Sequence, residues 1–305
     1  MKNLIDLHLH LDGSLPLHAV RELADMQNIP LPKEDEELLT QLRAPEKCGN
    51  LNEYLKAFKL PLTLLQTEAA LELASLRLCQ ELQREGLSYA EIRFAPQLHT
   101  GEGLDMREIT FAVLRGIEKS GFPAKIILCC MRGEDNHKFN IDTVYLAKEL
   151  GGCAVDLAGA EGLFKTKSFD DVFALARSLG VPFTIHAGEA DGADSVIAAV
   201  KAGAKRIGHG VRAVESDEAM RLILERGVTL EMCPTSNFQT GACKSFKEYP
   251  LKKFLDMGIK VTLNTDNMTV SNTTLDKEYA FAGAQLGINE TDLEKIREYA
   301  SEAIF

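Results

Sequence analysis

Residues 196–208 read VIAAVKAGAKRIG and show in one stretch how the chain alternates between helix and strand. A run with helical periodicity begins at Val196, Gly203 follows the end of that run, and a strand-like run extends from Lys205 to Gly208. Glycine readily adopts the left-handed backbone conformation that commonly ends a helix, so this order is typical of a helix-to-strand connection. The stretch therefore predicts one helix that leads directly into one strand.

A glycine followed by a strand-like run occurs seven times along the chain, and a stretch with helical periodicity precedes most of these glycines. With a further strand at the N-terminus this pattern predicts eight strands that alternate with helices, and such alternation implies a parallel sheet. Eight units in about 300 residues fit an α/β fold of the (β/α)₈ or TIM-barrel type better than an open doubly wound sheet. The predicted strands are Leu4 to His10, Leu87 to Ala95, Lys125 to Met131, Ala154 to Ala158, Phe183 to His186, Lys205 to Gly208, Val228 to Met232 and Lys260 to Asn264.

The connection between the first two predicted strands, residues 11–86, is too long for a single crossover helix. It contains several predicted helical segments, among them Glu68 to Arg84. We predict that the surplus folds over one mouth of the barrel as a helical lid. Three apolar residues of this connection would either line a ceiling there or pack the excursion onto the barrel: Leu55, Phe58 and Leu62.

The composition excludes several classes of function. The chain has 34 Lys and Arg against 45 Asp and Glu, which gives a net charge of −11. This acidic balance disfavours a partner that is nucleic acid or an anionic membrane surface. No apolar run approaches the roughly 18 residues of a membrane span, and Met1 to Asp6 lacks the unbroken apolar stretch of a signal peptide. Since no Pro/Ser-rich linker interrupts the chain, we expect residues 1–305 to form a single domain.

The cysteines indicate the compartment. Seven of them, an odd number, are scattered through a chain that is far too long for a disulfide scaffold. We therefore expect a soluble protein of a reducing compartment, the cytoplasm. The sequence leaves the oligomeric state open.

Polar side chains collect where the predicted strands end. His8 and His10 share one face of the first strand opposite an apolar face, so we expect both histidines to point into the barrel. Barrel enzymes build their active sites at the C-terminal ends of the strands. The other strand ends contribute His186 and Glu189 from the fifth, His209 from the sixth and Asp266 from the eighth.

Three of these histidines and the aspartate offer three nitrogens and one oxygen to a metal ion. Zinc fits this donor set with a further position left for water, and iron, cobalt or manganese could bind it too. A zinc site built from cysteines is disfavoured because the adjacent Cys129 and Cys130 point opposite ways on a strand and the chain has no C-x₂-C run. The predicted metal ligands are His8, His10, His186 and Asp266.

Other polar residues are interpreted as structural. Glu91 and Arg93, two residues apart on the second predicted strand, are expected to form a buried ion pair that supports the barrel. We expect the three histidines outside the strand ends to be surface or loop residues: His18, His99 and His137.

Six runs of the sequence resemble motifs of the adenosine deaminases, a family of the amidohydrolase superfamily. They occur in the family's order and spacing from residue 4 to about residue 285, which is nearly the whole chain. Together the six runs are highly specific. They are HLHLDGS (8–14), DLAG (156–159), HAGE (186–189), RIGHG (206–210), CPTSN (233–237) and NTD (264–266).

The resemblance implies a zinc-dependent barrel hydrolase of purine salvage that converts adenosine and 2′-deoxyadenosine to inosine and ammonia. It implies one Zn²⁺ per subunit, bound by the four ligands named above, and a small-molecule purine nucleoside as partner. The catalytic residues that it implies are Glu189 as proton donor to purine N1, His209 as the residue that orients or deprotonates the attacking water, and Asp266. The substrate-binding residues that it implies are His10, Asp12 at the ribose, the Gly159 backbone at the purine ring and Asn267 at purine N7.

The sequence departs from the family pattern at two places. Asn267 stands where most relatives carry a second aspartate, and the chain ends at Phe305 where relatives usually continue, which implies a further C-terminal segment. Two alternatives stay open. One is a deaminase of adenine or of another 6-aminopurine derivative such as AMP, although adenine deaminases tend to carry glutamate where Asp12 stands. The other is a non-catalytic purine-binding protein on the same scaffold.

Overall fold

The computed structural model of the chain describes residues 4–305. Residues 1–3, which belong to the predicted domain and to the stretch tested above for a signal peptide, lie outside the described residues. Within 4–305 all eight predicted strands are present, with bounds that differ from the prediction by no more than two residues. The strands are β1 (Ile5–His10), β2 (Tyr89–Phe94), β3 (Ala124–Met131), β4 (Ala154–Ala158), β5 (Thr184–Ala187), β6 (Arg206–His209), β7 (Thr229–Met232) and β8 (Val261–Leu263).

The strands form two parallel four-stranded sheets that meet at both edges. One sheet has the order β1-β2-β3-β4 and the other β5-β6-β7-β8. Val155 pairs with Phe183 between β4 and β5, and Leu9 pairs with Asp266 where β8 returns to β1. The second junction holds two backbone hydrogen bonds of 2.8 Å, from the His10 amide to the Asp266 carbonyl and from the Asp266 amide to the His8 carbonyl. The predicted parallel α/β barrel is thus confirmed.

Helices surround the sheet and alternate with its strands. Their bounds are α1 (Leu17–Met26), α2 (Asp35–Leu42), α3 (Leu51–Tyr54), α4 (Lys59–Leu64), α5 (Glu68–Arg84), α6 (Met106–Ser120), α7 (His137–Leu150), α8 (Asp170–Leu179), α9 (Ala193–Ala202), α10 (Asp217–Arg226), α11 (Pro234–Gln239), α12 (Leu251–Asp256), α13 (Leu275–Gln285) and α14 (Glu290–Glu302). The first five lie in the long connection between β1 and β2, which is therefore helical as predicted. That this excursion closes over the barrel as a lid stays a prediction.

The helix-to-strand connection at residues 196–208 has the predicted form. Helix α9 ends at Ala202, Gly203 caps it with a φ of 101°, and β6 follows at Arg206. The Gly203 amide donates to the Val200 carbonyl at 3.1 Å. A residue with a Cβ rarely adopts this backbone conformation, so glycine satisfies the end of the helix without strain.

The first strand distributes its side chains as the alternation predicted. Leu9 packs into the main apolar core between strands and helices, and Ile5 and Leu7 pack against Ala300 of α14. His8 is fully buried on the opposite face, inside the barrel. The apolar face of β1 is therefore held by the helix layer, and its polar face is left for the site.

The predicted ion pair between Glu91 and Arg93 is wrong, although both side chains are fully buried. Arg93 donates to Asp156 and Glu231 instead, at 2.9 Å in each case, and Glu91 is paired with Arg206. Two residues on the same face of one strand stand about 6.6 Å apart along it, so carboxylates from other strands come closer.

His99 lies in the connection between β2 and α6, but the prediction that it could be a surface residue is wrong. His18 and His137 are exposed, but His99 is fully buried, and its Nδ1 lies 2.9 Å from the carbonyl of Leu65. Burial lowers the pKa of His99 to about 4. The helical excursion covers this position, and covering by a distant segment is not visible in local sequence.

Among residues 4–305, none of the helices combines the length and the apolar character that a membrane span requires.

Candidate active site

Four predicted site residues converge at the C-terminal end of the barrel. His8 and His10 come from β1, His186 from β5, and Asp266 from the segment after β8, and one potential ligand atom of each lies within 4.8 Å of the others. The Nε2 atom of His10 is 3.3 Å from Nε2 of His186 and 3.4 Å from Oδ1 of Asp266. The Nε2 atom of His8 is 3.5 Å from the same Oδ1. This His₃Asp group could hold a metal ion.

Two buried carboxylates orient the histidines of this group. Oε2 of Glu231 lies 2.8 Å from Nδ1 of His8, and Oδ2 of Asp156 lies 2.8 Å from Nδ1 of His186. A carboxylate at Nδ1 keeps a proton there and leaves the Nε2 lone pair for a metal. Sequence reasoning gave neither residue a role. The local signals were a charged residue within a buried strand and, for Asp156, its place in the run DLAG (156–159).

The charge around the group suits a divalent cation. Arg93 bridges Asp156 and Glu231, and Arg206 bridges Glu231 and Glu91, all of them buried. With Asp266 added, the cluster holds four carboxylates against two guanidinium groups. Buried charge is costly unless it is compensated. Nε2 of His8 is moreover buried without a hydrogen-bond partner, so the donor set and the charge both fit a bound ion such as zinc.

Backbone strain marks two of the predicted catalytic residues. His209 has a φ of 64° and Asp266 a φ of 59°, a left-handed conformation that side chains other than glycine rarely adopt. Within residues 4–305 only two further non-glycine residues share it, Asn28 and Asn272. Such strain persists where the surroundings impose it, and it concentrates at functional sites. For Asp266 the two hydrogen bonds to β1 impose it.

Glu189 is buried, and its environment favours the neutral acid. Its Oε1 accepts a hydrogen bond of 3.1 Å from the Thr240 hydroxyl, and its Oε2 lies 3.6 Å from Nε2 of His209. Burial, and then the negative charges of Asp266 and Glu161, raise the pKa of Glu189 well above the ordinary 4.5. A carboxyl group in this state can donate a proton near neutral pH.

His209 is held by a chain of two residues that sequence reasoning did not identify. The Tyr249 hydroxyl donates to Oδ1 of Asn237 at 2.9 Å, and Nδ2 of Asn237 lies 2.9 Å from Nδ1 of His209. Since an amide nitrogen only donates, Nδ1 must accept, which leaves the proton of the neutral ring on Nε2. Burial and the nearby His8 lower the pKa of His209 well below 6.5, so the neutral ring is favoured.

A cavity of about 230 Å³ opens beside these groups. Leu55, Phe58 and Leu62 all line it. The cavity is also lined by every other predicted site residue except His8, which the structure brings next to His10, His186 and Asp266 behind the lining: His10, Asp12, Gly159, His186, Glu189, His209, Asp266 and Asn267. Neither lysine nor arginine lines this cavity in the described part of the chain.

Asn267 lies at the wall of this cavity with its amide partly engaged. Its Nδ2 donates to the Tyr54 hydroxyl at 3.1 Å, and that hydroxyl is also 2.6 Å from Oγ of Ser271. Its Oδ1 is buried without a partner beside Gly13, where a Cβ would stand 1.8 Å away. An amide nitrogen carries two hydrogens, so one remains for a ligand.

Known proteins resemble the chain over nearly its full length. The family model described as adenosine deaminase matches residues 4–305. An adenosine deaminase of Haemophilus ducreyi is 48% identical over 304 residues, which cover 96% of this chain and 88% of the relative. An adenine deaminase structure from Arthrobacter aurescens superposes with a TM-score of 0.88 at 23% identity, covering 100% of this chain and 94% of the other. A zinc-bound amidohydrolase from Burkholderia ambifaria gives 0.85 at 19% identity, with coverage of 99% and 86%. At these identities the two structures show the fold alone.

Proposed function

The chain belongs to the adenosine deaminase family, and from this premise we propose that it hydrolyses adenosine and 2′-deoxyadenosine to inosine and ammonia. One observation carries the proposal. The buried Glu189 carboxyl, whose pKa is raised, faces the same cavity as the His₃Asp group. Hydrolysis at C6 of a purine needs both a proton donor for the ring and a site that activates water, and this cavity offers groups suited to each.

The metal that we propose is one zinc ion per chain, held by His8, His10, His186 and Asp266. When bound, zinc would lower the pKa of water to about 7 and so supply a nucleophile at neutral pH. Three oriented imidazole nitrogens, one carboxylate and the surplus negative charge around them support this choice.

The side chains of the cavity divide the proton transfers between them. Glu189 would protonate purine N1, which removes the negative charge that builds up on the ring as water adds at C6. With its proton on Nε2, His209 donates a hydrogen bond to the attacking oxygen, so orientation is favoured over deprotonation. Burial raises the pKa of Asp266, but hydrogen bonding to His8 and the charge of His8 outweigh it and lower the pKa, so the carboxylate stays ionised. Asp266 would accept the proton of the water and pass it to the C6 amino nitrogen. The C6–N bond then breaks, ammonia leaves, and the hydroxyl proton on C6 returns to Glu189.

The cavity lining supports a nucleoside over a nucleotide. Asp12 lines it and is only 7% exposed. A phosphate group would approach this carboxylate without any lysine or arginine in the lining of the described cavity to compensate its charge. Ribose hydroxyls would instead donate hydrogen bonds to Asp12. We therefore favour a neutral nucleoside over AMP, and a nucleoside over free adenine.

We also place the activity in the cytoplasm. Seven cysteines, an odd number, are spread through the chain, and thiols of this kind suit a reducing compartment.

A substrate screen tests the proposed function. Purified protein of known metal content would be assayed spectrophotometrically with adenosine, 2′-deoxyadenosine, adenine and AMP. We expect kcat/KM to be largest for the two nucleosides. A larger value for adenine or AMP would contradict the proposed substrate, and binding without turnover of any of the four would favour a non-catalytic purine-binding protein.

Asp12→Ala is predicted to reduce the preference for nucleoside over free base. A buried hydrogen bond left unmade costs about 1–3 kcal/mol, and more when the group is charged. Adenosine turnover should therefore fall by at least this amount in transition-state terms, while the slow turnover of adenine changes little. The measurement is kcat/KM for both substrates, with Asp12→Asn as the variant that keeps an acceptor oxygen. Equal loss on both substrates would indicate a structural role.

Asn267→Ala is predicted to lose a contact to purine N7. That nitrogen only accepts, and the second Nδ2 hydrogen of Asn267 can donate to it at any pH. We expect a loss of about 1–3 kcal/mol in kcat/KM for adenosine, and little further loss with 7-deazaadenosine, which lacks the acceptor.

Tyr54→Phe is the control for this prediction, because it removes the protein partner of the Asn267 amide and leaves the amide itself in place. It should retain the difference between adenosine and its 7-deaza analogue. If Asn267 only supports the segment that carries Asp266, Asn267→Ala would lower kcat/KM equally for adenosine and 7-deazaadenosine. The comparison of wild type and variant with the two substrates would then show no coupling.

A further inference from the structure

Glu161 makes an unusual set of contacts beside the candidate active site. The residue follows β4, is 1% exposed, and directs its carboxylate at the segment after β5. Oε1 accepts hydrogen bonds from the Gly188 amide at 2.7 Å and from the Ser195 hydroxyl at 2.6 Å. Oε2 accepts from three successive amides, those of Glu189 at 3.0 Å, Ala190 at 2.7 Å and Asp191 at 3.0 Å. One carboxylate thus binds four consecutive backbone amides.

The segment that Glu161 binds has a shape that needs support. Gly188 has a φ of 74°, and a Cβ there would stand 2.6 Å from Cγ2 of Val196. Consecutive amides that converge on one point form a concave anion site and repel one another unless an anion fills it. Glu161 supplies that anion from within the chain. The carboxylate is fixed in turn, because the Ser195 hydroxyl that binds it also contacts the Thr166 hydroxyl at 2.6 Å.

We propose that Glu161 is a positioning residue that holds residues 188–191 in one conformation and so aims the Glu189 side chain into the cavity. Two residues before it stands Gly159, which lines the same cavity, so Glu161 also ties the β4 wall to the β5 wall that carries the acid. The inference rests on the proposed function, in which Glu189 is the proton donor. A proton donor must lie within hydrogen-bond reach of the atom that it protonates, and small displacements reduce the rate strongly.

The charge of Glu161 acts in the same direction as its geometry. After burial and the charge of Asp266, the negative charge of Glu161 is a further cause of the raised pKa of Glu189. Glutamine at position 161 would remove this charge and place an amide nitrogen against one set of backbone N–H donors. It would therefore weaken both the position and the protonation of the acid.

The test compares Glu161→Gln with Glu278→Gln, because Glu278 is equally buried and also accepts from a backbone amide and a hydroxyl, those of Thr235 and Thr273, outside the cavity lining. For Glu161→Gln we expect kcat to fall about 10- to 100-fold with a much smaller change in KM. Hydrogen exchange at the amides of residues 188–191 should accelerate. Glu278→Gln should lower the melting temperature while kcat and the exchange of these amides stay near wild type.

A double-mutant cycle separates positioning from general damage. In a Glu189→Gln background, Glu161→Gln should cause little further loss of kcat, because the acid that it positions is already absent. Ser195→Ala is the milder variant if Glu161→Gln folds poorly, and it should accelerate exchange chiefly at Gly188. Unchanged exchange at 188–191, or the same fold-loss in both backgrounds, would overturn the proposal. A near-wild-type rate for Glu189→Gln would contradict the proposed function instead, and the exchange result would still report on the anchoring.

Discussion

Glu189→Gln is expected to lower kcat for adenosine by about 10²- to 10⁴-fold, the usual contribution of a positioned general acid. Glutamine keeps the shape of the side chain and an oxygen that can accept from Thr240, but an amide has no proton to deliver to purine N1. The variant should retain its metal and bind a purine nucleoside with an affinity close to that of the wild type. Steady-state kinetics, metal analysis and ligand titration on the same preparation give the three quantities.

Thr240→Val provides a matched comparison, because it removes the hydroxyl that donates to Glu189 and leaves the carboxyl in place. That hydrogen bond lowers the pKa of Glu189, so its loss should not impair the protonated acid. We expect a small change in kcat for Thr240→Val against the large one for Glu189→Gln. Similar rates for Glu189→Gln and wild type would refute the proposed role of Glu189.

Removal of the metal is the second large effect that we expect. Dialysis against a chelator should abolish turnover, because the cavity then lacks the group that activates water, and addition of Zn²⁺ should restore it. The melting temperature should fall as well, because four ligands and several buried carboxylates lose a compensating charge. When the concentration of free ion is 100 times the Kd, binding stabilises the folded state by about 2.7 kcal/mol. Activity and thermal unfolding therefore report the loss independently.

Two histidine variants localise the effect to the proposed ligands. His186→Ala should lose the metal and the activity, because it removes one of four donors. His99→Ala removes another buried histidine, whose Nδ1 lies against the Leu65 carbonyl and which is not one of the four proposed ligands, so this variant should keep the full metal content. Full metal content in His186→Ala, or full activity in the metal-free protein, would contradict the proposed centre.

Much of the candidate site followed from local sequence. Strand alternation placed His8 and His10 on the inner face of β1, and the rule that barrel sites lie at the C-terminal ends of strands grouped them with His186 and Asp266. The assignment of roles to Glu189 and Asn267 came from resemblance to a family, and their roles remain proposals. Physical chemistry of the sequence alone does not distinguish a catalytic glutamate from any other glutamate at a strand end.

The partners of these residues were not predictable in the same way. Glu231 lies 223 positions from the His8 ring that it orients, and Glu161 lies 27 positions from the Gly188 amide that it binds. Asn237 and Tyr249 were likewise missed, although Asn237 stands in a motif that was recognised. A hydrogen bond depends on distances of tenths of an ångström between atoms, and no periodicity in the sequence carries that information.

By itself the sequence determined the order of strands and helices and the positions of the converging donors, because glycine punctuation and side-chain alternation are local properties of the backbone. Closure of the barrel decided which strands are neighbours and therefore which side chains form ion pairs and hydrogen bonds inside it. It paired Arg93 with Asp156 and Glu231 rather than with Glu91, and it joined β8 to β1 through Asp266. The helical excursion decided the burial of His99 in the same way. These contacts are long-range, and their energies arise only when distant segments exclude water from a common interior.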